Sequence, residues 1–183
     1  MHRILASVTS LAQHLIAVAS TDGDIYRPLS CPYCGVGGLW RHGCYYRKAD
    51  RENDASESLN PVPVLRYLCP PCARTCSRLP LCIAPRRWFD WAMQQVVLAL
   101  LLTGCSVHHC CHCTCRARST VRRWREWLRS RSEEFCFYLR SRFPELGRHA
   151  DRDAFWCHVI QGMSLATVMA WLDRDLVPAH PSP

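Results

Sequence analysis

Two Cys-x-x-Cys pairs, Cys31-Pro32-Tyr33-Cys34 and Cys69-Pro70-Pro71-Cys72, are the residues of this 183-residue chain best suited to chemistry. Each pair can present two thiolates from one tight turn, and two such turns can close a tetrahedron around zinc. Gly35 after the first pair admits the positive φ that aims backbone amides at sulfur, whereas Ala73 stands in that place after the second. The spacing points to one structural Zn2+ per chain, held by Cys31, Cys34, Cys69 and Cys72. A redox role for the pairs is the alternative, but a redox motif normally opens a helix after a strand, and these pairs flank strand-like segments. Cys76 is close enough in sequence to exchange with Cys72 as fourth ligand; Cys44 and Cys82 read as packed small residues.

The elements that must position these thiols are strand-like runs at Leu39–Arg47 and Val62–Leu68, separated by a charged, turn-forming loop from Lys48 to Asn60. A hairpin of the two runs brings the pairs together, and metal then replaces the core that a unit of this size lacks. Ahead of it, Leu5, Val8, Leu11, Ala12, Leu15 and Ile16 fall on one side of an expected amphipathic helix. Ser7, Thr9, Ser10, Gln13 and His14 interrupt any continuous apolar stretch there, which argues against a secretory leader. The longest apolar run, Val96 to Leu102, is far short of the roughly 20 residues that span a bilayer. The expectation is a cytoplasmic protein without a membrane partner.

The chain has 23 basic against 15 acidic residues, a net charge of +8, which favours a polyanionic partner. The charge is concentrated at the last of three expected helices: a buried one over Trp88–Thr103 stopped by Gly104, a short one from Ser106 to about Thr114, and a long one from Ser119 to about Phe143. In the third, Ala117, Val121, Trp124 and Leu128 form a core side, and Ser119, Arg122, Arg123 and Glu126 face the other way, with Ser119 as the expected N-cap. This order is that of a helix-turn-helix whose third helix reads double-stranded DNA. Arg116, Arg118, Ser119, Thr120, Arg122 and Arg123 are its candidate DNA contacts, and a solvated arginine-rich surface is the competing reading. The cluster Cys105, His108, His109, Cys110, Cys111, His112, Cys113 and Cys115 could hold a second metal, although only i, i+4 pairs would share a helix face.

Several of these stretches, Cys31 to Gly35, Leu39 to Gly43, Tyr45 to Arg47, Leu65 to Cys72, Leu79-Pro80 and Arg118 to Trp124, together resemble bacterial zinc-ribbon plus helix-turn-helix proteins related to the N-terminal part of insertion-sequence transposases. The resemblance implies DNA-end or operator binding in a mobile-element setting. Such transposases add a metal-dependent nuclease domain bearing three carboxylates, whereas Asp151, Asp153, Asp173 and Asp175 here lie in a short stretch after Gly147 and read as solvated charges. No catalytic residue is assigned.

The resulting expectation is an α+β chain, mostly helical, with a small two-stranded zinc ribbon followed by a three-helix helix-turn-helix unit. Its segments are an N-terminal helix and linker (1–26), the ribbon (27–86), the helix-turn-helix (87–147) and a short tail (148–183) with one further expected helix over Ser164–Leu172. The expected function is sequence-specific DNA binding as a transposase-related accessory factor or repressor, with a transposase or a second copy of the chain as further candidate partners. A zinc-stabilised protein-interaction module and a thiol- or metal-responsive regulator are the alternatives.

Overall fold

The computed structural model describes residues 4–20, 23–50, 57–85 and 89–175. The chain is α+β and divides into two compact units, one within Met1–Asp90 and one over Trp91–Asp175. The expected boundary at 86–87 and the expected helix start at Trp88 lie outside the described residues.

In the first unit β1 (Ile4–Leu5) pairs in parallel with β5 (Leu79–Pro80), and β2 (Trp40–Arg47), β3 (Val62–Leu68) and β4 (Thr75–Cys76) form an antiparallel sheet with β3 in the middle. The expected pair of strands is thus joined by a third. After the second cysteine pair the chain reverses at Ala73, and Thr75 and Cys76 return alongside Leu68 and Tyr67. Two residues leave no periodicity to read, which is why sequence patterning gives no sign of β4.

As the central strand, β3 buries both of its faces. Val62 and Val64 pack with Leu79 and Ile83, whereas Leu65 and Tyr67 pack with Leu5, Val8, Tyr26, Leu39 and Cys69. That double burial explains the nearly continuous apolar run in its sequence. The loop after β2 is closed at its base by Asp50 and Asn60: Asn60 Nδ2 donates to the Asp50 carbonyl at 2.6 Å, and Asp50 Oδ2 accepts from the Leu59 amide at 2.8 Å. Residues 51–56 of that loop lie outside the described residues.

The N-terminal helix is shorter than its apolar pattern implies. α1 spans Leu11–Ala19, because Ser10 caps it, its hydroxyl accepting from the Gln13 amide at 3.2 Å. Leu5 therefore belongs to β1, and Ile16 is 71% exposed. The residue that α1 buries is His14. Its Nε2 lies 2.7 Å from the Pro63 carbonyl of β3 and its Nδ1 lies 2.6 Å from the Tyr26 hydroxyl. A carbonyl only accepts, so Nε2 carries the proton and Nδ1 accepts from Tyr26. Neutral His14 pins α1 to the sheet.

The second unit holds α2 (Trp91–Leu102), α3 (Val107–Thr114), α4 (Arg118–Arg142), a 3-10 turn over Pro144–Arg148, α5 (Arg152–Gly162) and α6 (Leu165–Asp175). Gly104 ends α2 as expected, at φ +90, with the Cys105 amide on the Leu100 carbonyl at 2.9 Å and its own amide on Leu101 at 3.2 Å. Residues 152–175, expected as part of a short tail with one helix over Ser164–Leu172, form two helices, of which α6 is the expected one and α5 is not. They contribute Phe155, Trp156, Val159, Leu165 and Val168 to the core, all at most 1% exposed. Gln95 of α2 fastens their junction, donating to the Ile160 carbonyl at 3.1 Å and accepting from the Leu165 amide at 2.7 Å. No single helix among the described residues is long and apolar enough to cross a membrane.

The His14 pin yields a stability test. Tyr26→Phe leaves the buried Nδ1 without its donor and should cost about 1–3 kcal/mol in urea unfolding. Burial lowers the His14 pKa below its usual 6.5, the Pro63 hydrogen bond opposing this only in part. The unfolded chain therefore takes up the proton first, so this contribution is complete above pH 6.5 and lost as the pH falls. His14→Gln should remove that share of the acid sensitivity. Unchanged unfolding for Tyr26→Phe at neutral pH would contradict the pin.

Candidate metal centre and basic helix surface

Two matching turns carry the four cysteines. In each, the first cysteine's amide donates to the carbonyl five residues on, Cys31 to Val36 at 2.8 Å and Cys69 to Arg74 at 2.9 Å. Its carbonyl accepts from the amide four residues on, that of Gly35 at 2.9 Å and of Ala73 at 2.8 Å. The residue at that fourth place takes a positive φ in both, +75 for Gly35 and +55 for Ala73. Glycine adopts this geometry freely, whereas alanine does so at a cost of about 1–2 kcal/mol. The same backbone shape is thus reached twice from unlike sequences.

β2 and β3 bring the turns together. Their register sets Trp40 opposite Leu68, so Cys34 and Cys69 flank one end of the ladder. The sulfurs of Cys31, Cys34, Cys69 and Cys72 all lie within 4.8 Å of one another, with Cys31–Cys72 at 3.6 Å and Cys34–Cys69 at 3.5 Å. A metal with four thiolate ligands at about 2.3 Å needs sulfur–sulfur edges of about 3.8 Å, which the cluster nearly meets, and a disulfide needs about 2.05 Å, which these two contacts do not. The four cysteines can hold one metal ion. Cys31 and Cys69 are buried and the other two half-buried, so bulk water is largely kept from the centre.

The thiols titrate unequally. Burial pushes Cys31 up, but the amides of Tyr33 and Cys34 and the thiols of Cys69 and Cys72 outweigh it and bring Cys31 down to about 7. At Cys69 the Cys72 amide favours the thiolate, yet burial and the thiols of Cys34, Cys31 and Cys72 push it up to about 12. Thiolates so close together would repel one another. A divalent cation cancels that repulsion, so metal uptake releases protons and weakens as pH falls.

Cys76, the spare thiol near the second pair, is outside the four-sulfur group. It is buried on β4 and burial pushes its thiol up to about 11. Cys82 is half-buried against Val62, Val64, Leu79 and Ile83, while Cys44, expected to be packed, is exposed on β2. In α3, His109 Nε2 and Cys113 Sγ come within 3.4 Å on an exposed face, and Cys110 is buried. Among the described residues the only group of three or more potential ligands close enough to share an ion is the four-cysteine one.

The second region of interest is the start of α4. Three residues, Cys115 to Ala117, link α3 to α4, with Cys115 in the left-handed region at φ 52. Arg116 is half-buried, its Nε donating to the Thr114 carbonyl at 2.8 Å, so it fastens this turn. The N-cap is Ala117 rather than Ser119, and it makes no side-chain cap bond. Ser119 sits one place inside the helix and is exposed, whereas Thr120 is buried beside Val121. Trp124 and Leu128 continue the core side, as the spacing implied.

Arg118, Arg122, Arg123, Arg125 and Arg129 are all exposed, and none forms an ion pair among the described residues. The first turn of α4 has no acidic residue. Arg118 in that turn opposes the helix dipole, a conflict of about 0.3–1 kcal/mol that an incoming anion would relieve. Of the four aspartates after Gly147, Asp151 caps α5 by accepting from the Ala154 amide at 2.7 Å and Asp153 pairs with Arg152 at 2.8 Å. No family model, curated protein or solved structure matches this chain.

Two measurements test the centre. Cys31→Ser and Cys72→Ser should each lose bound metal on elemental analysis while Cys76→Ser keeps it; metal retained in both of the first two variants would refute the ligand set. Ala73→Gly should raise the stability of the metal-loaded protein by about 0.5–1 kcal/mol, since relief of the left-handed strain exceeds glycine's added chain entropy. A lowered melting temperature would contradict that account of the second turn.

Proposed function

We propose that the chain is a sequence-specific DNA-binding protein, an accessory factor or repressor of the kind associated with mobile elements, in which α2, α3 and α4 act as a helix-turn-helix. The observation that carries this reading is the row of arginines on the exposed side of α4, unpaired among the described residues, which begins with Arg118 in the first turn, where the helix dipole favours an anion. Over residues 118–131 there are six arginines and one glutamate, so this half of α4 is strongly cationic. An α-helix with its side chains is about 10–12 Å across and fits the major groove, about 12 Å wide. Arg122 and Arg123 would meet base edges, with Arg118 and the first-turn amides on phosphate. Arg116 and Thr120, candidates by sequence, serve the turn and the core instead. The metal is zinc in this proposal, since four thiolates in a near-tetrahedral arrangement suit it, and its role is to hold the first unit together.

The test is DNA binding by the purified metal-loaded chain, on duplex sites obtained by selection from random sequence, across a salt titration. Arg122→Ala and Arg123→Ala should weaken binding with fold and metal content unchanged. A base-reading arginine should lose about 1–3 kcal/mol of discrimination, whereas a phosphate-holding one should weaken all sequences alike and lower the salt slope by about 1. Trp124→Ala removes a buried indole and should cost about 3–5 kcal/mol in stability, so its binding loss would follow unfolding. Tight, unaltered binding by both arginine variants at every salt concentration would sink the proposal.

A further inference from the structure

The outer strand of the metal-bearing unit presents aromatic rings to solvent. Every residue of β2 from Trp40 to Tyr46 is exposed, Trp40 and Tyr46 each to 64%. Large exposed rings are costly to hydrate, and here their arrangement depends on a specific irregularity. Trp40 and Tyr45 are five residues apart and would point to opposite faces of a regular strand. The ladder slips between Arg41 and Cys44, where Gly43 takes φ +71. This bulge shifts the phase by one residue. Trp40 then stands opposite Leu68 and Tyr45 opposite Val64, and since positions 64 and 68 share a face of β3, so do the two rings. Arg66 lies between those positions on the same face of β3, its Nη2 steadied by the Thr75 hydroxyl at 3.1 Å. Four of its five N–H donors remain for another partner.

The strand and turn segments themselves carry charge of one sign. Residues 31–49 and 61–85, which hold both cysteine turns and all three strands of the sheet, contain Arg41, Arg47, Lys48, Arg66, Arg74 and Arg78 and no aspartate or glutamate. Even after the formal charge of about −2 on a zinc tetrathiolate, the segment stays cationic. Spaced aromatic rings with a fixed arginine between them, on strands without carboxylates, match what an unpaired nucleic-acid strand requires: faces on which bases stack and cations for the phosphates. The two rings are separated by four residues of β3, about 13 Å, so each takes its own base. A duplex keeps its base faces stacked inside and could not use them.

We propose that the Trp40–Arg66–Tyr45 face is a binding platform for single-stranded nucleic acid, distinct from the α4 surface and independent of the duplex-binding reading. Its test uses the full metal-loaded chain and a fluorescently labelled single-stranded oligo-dT probe, followed by anisotropy. Trp40→Ala and Tyr45→Ala should each weaken binding by about 5- to 150-fold, the range for loss of one stacked base. Trp40→Phe should restore most of the affinity, and metal content and melting temperature should stay at wild-type values because Trp40 is exposed. The Arg122→Ala/Arg123→Ala double variant should keep its oligo-dT affinity. Equal binding by wild type and Trp40→Ala overturns the platform, as does loss of oligo-dT binding in the α4 double variant alone. Wild-type self-association that Trp40→Ala abolishes, with oligo-dT affinity unaltered, would make the face a contact between copies of the chain and also overturn it. Loss of duplex recognition in no arginine variant, beside a Trp40→Ala defect on oligo-dT, would leave the platform standing and defeat the α4 reading.

Discussion

Four thiols held within 4.8 Å of one another are the constraint around which the first unit is built. Thiolates at that separation repel, and protonated thiols make only weak hydrogen bonds, so the arrangement is worth little until a cation occupies it. Both cysteine turns, the reversal that starts β4 and the end of the β2–β3 ladder converge on this point. The apolar material around it is modest: Leu5, Val8, Tyr26, Leu39, Leu65 and Tyr67 form the cluster beside the sulfurs. A core of that size gives a small unit marginal stability, and a bound metal would add folding free energy where further apolar residues would otherwise be needed.

The second unit has the opposite economy. Its helices bury Trp156, Phe155, Leu98, Leu139 and Leu165 completely or nearly so, and Ser132 links the Trp156 indole to the Leu128 carbonyl inside that core. With packing secured on one side of α4, its exposed side is free to carry charge that does nothing for the helix itself. Arginine at the N-terminal turn works against the dipole, and only the last turn, with Arg140 and Arg142, has the charge a helix end favours. That conflict on one turn of an otherwise well-built helix fits the proposed anion-binding role of this surface.

Legibility from sequence followed the physics of each signal. The cysteine turns and the strands between them could be read because metal geometry demands a fixed spacing and because aromatic and β-branched residues mark strands. Helix ends at Gly104 and Ser106 were readable from their capping chemistry. The start of α4 was not: Ser119 is a good cap by type, but the left-handed turn at Cys115 sets the helix going two residues earlier, and a cysteine in that conformation has no sequence signature. Val8 and Leu5 kept helical spacing yet left the helix once Ser10 capped it. α6 was foreseen but α5 was hidden in an apparent tail, since Phe155, Trp156, Val159 and Ile160 make sense as a buried face only when α2 and α4 are there to receive them. The shared face of Trp40 and Tyr45 was beyond reach, because five-residue spacing in a strand normally separates side chains and nothing local announces the bulge.

In the proposed centre a single metal is held by four cysteine sulfurs and no other ligand. X-ray absorption at the zinc edge of the protein as purified tests this most directly. It should show one shell of four sulfurs at about 2.3 Å and no nitrogen or oxygen neighbour. A mixed shell containing histidine nitrogen, or protein that folds with the four cysteines in disulfides and no metal, would contradict it.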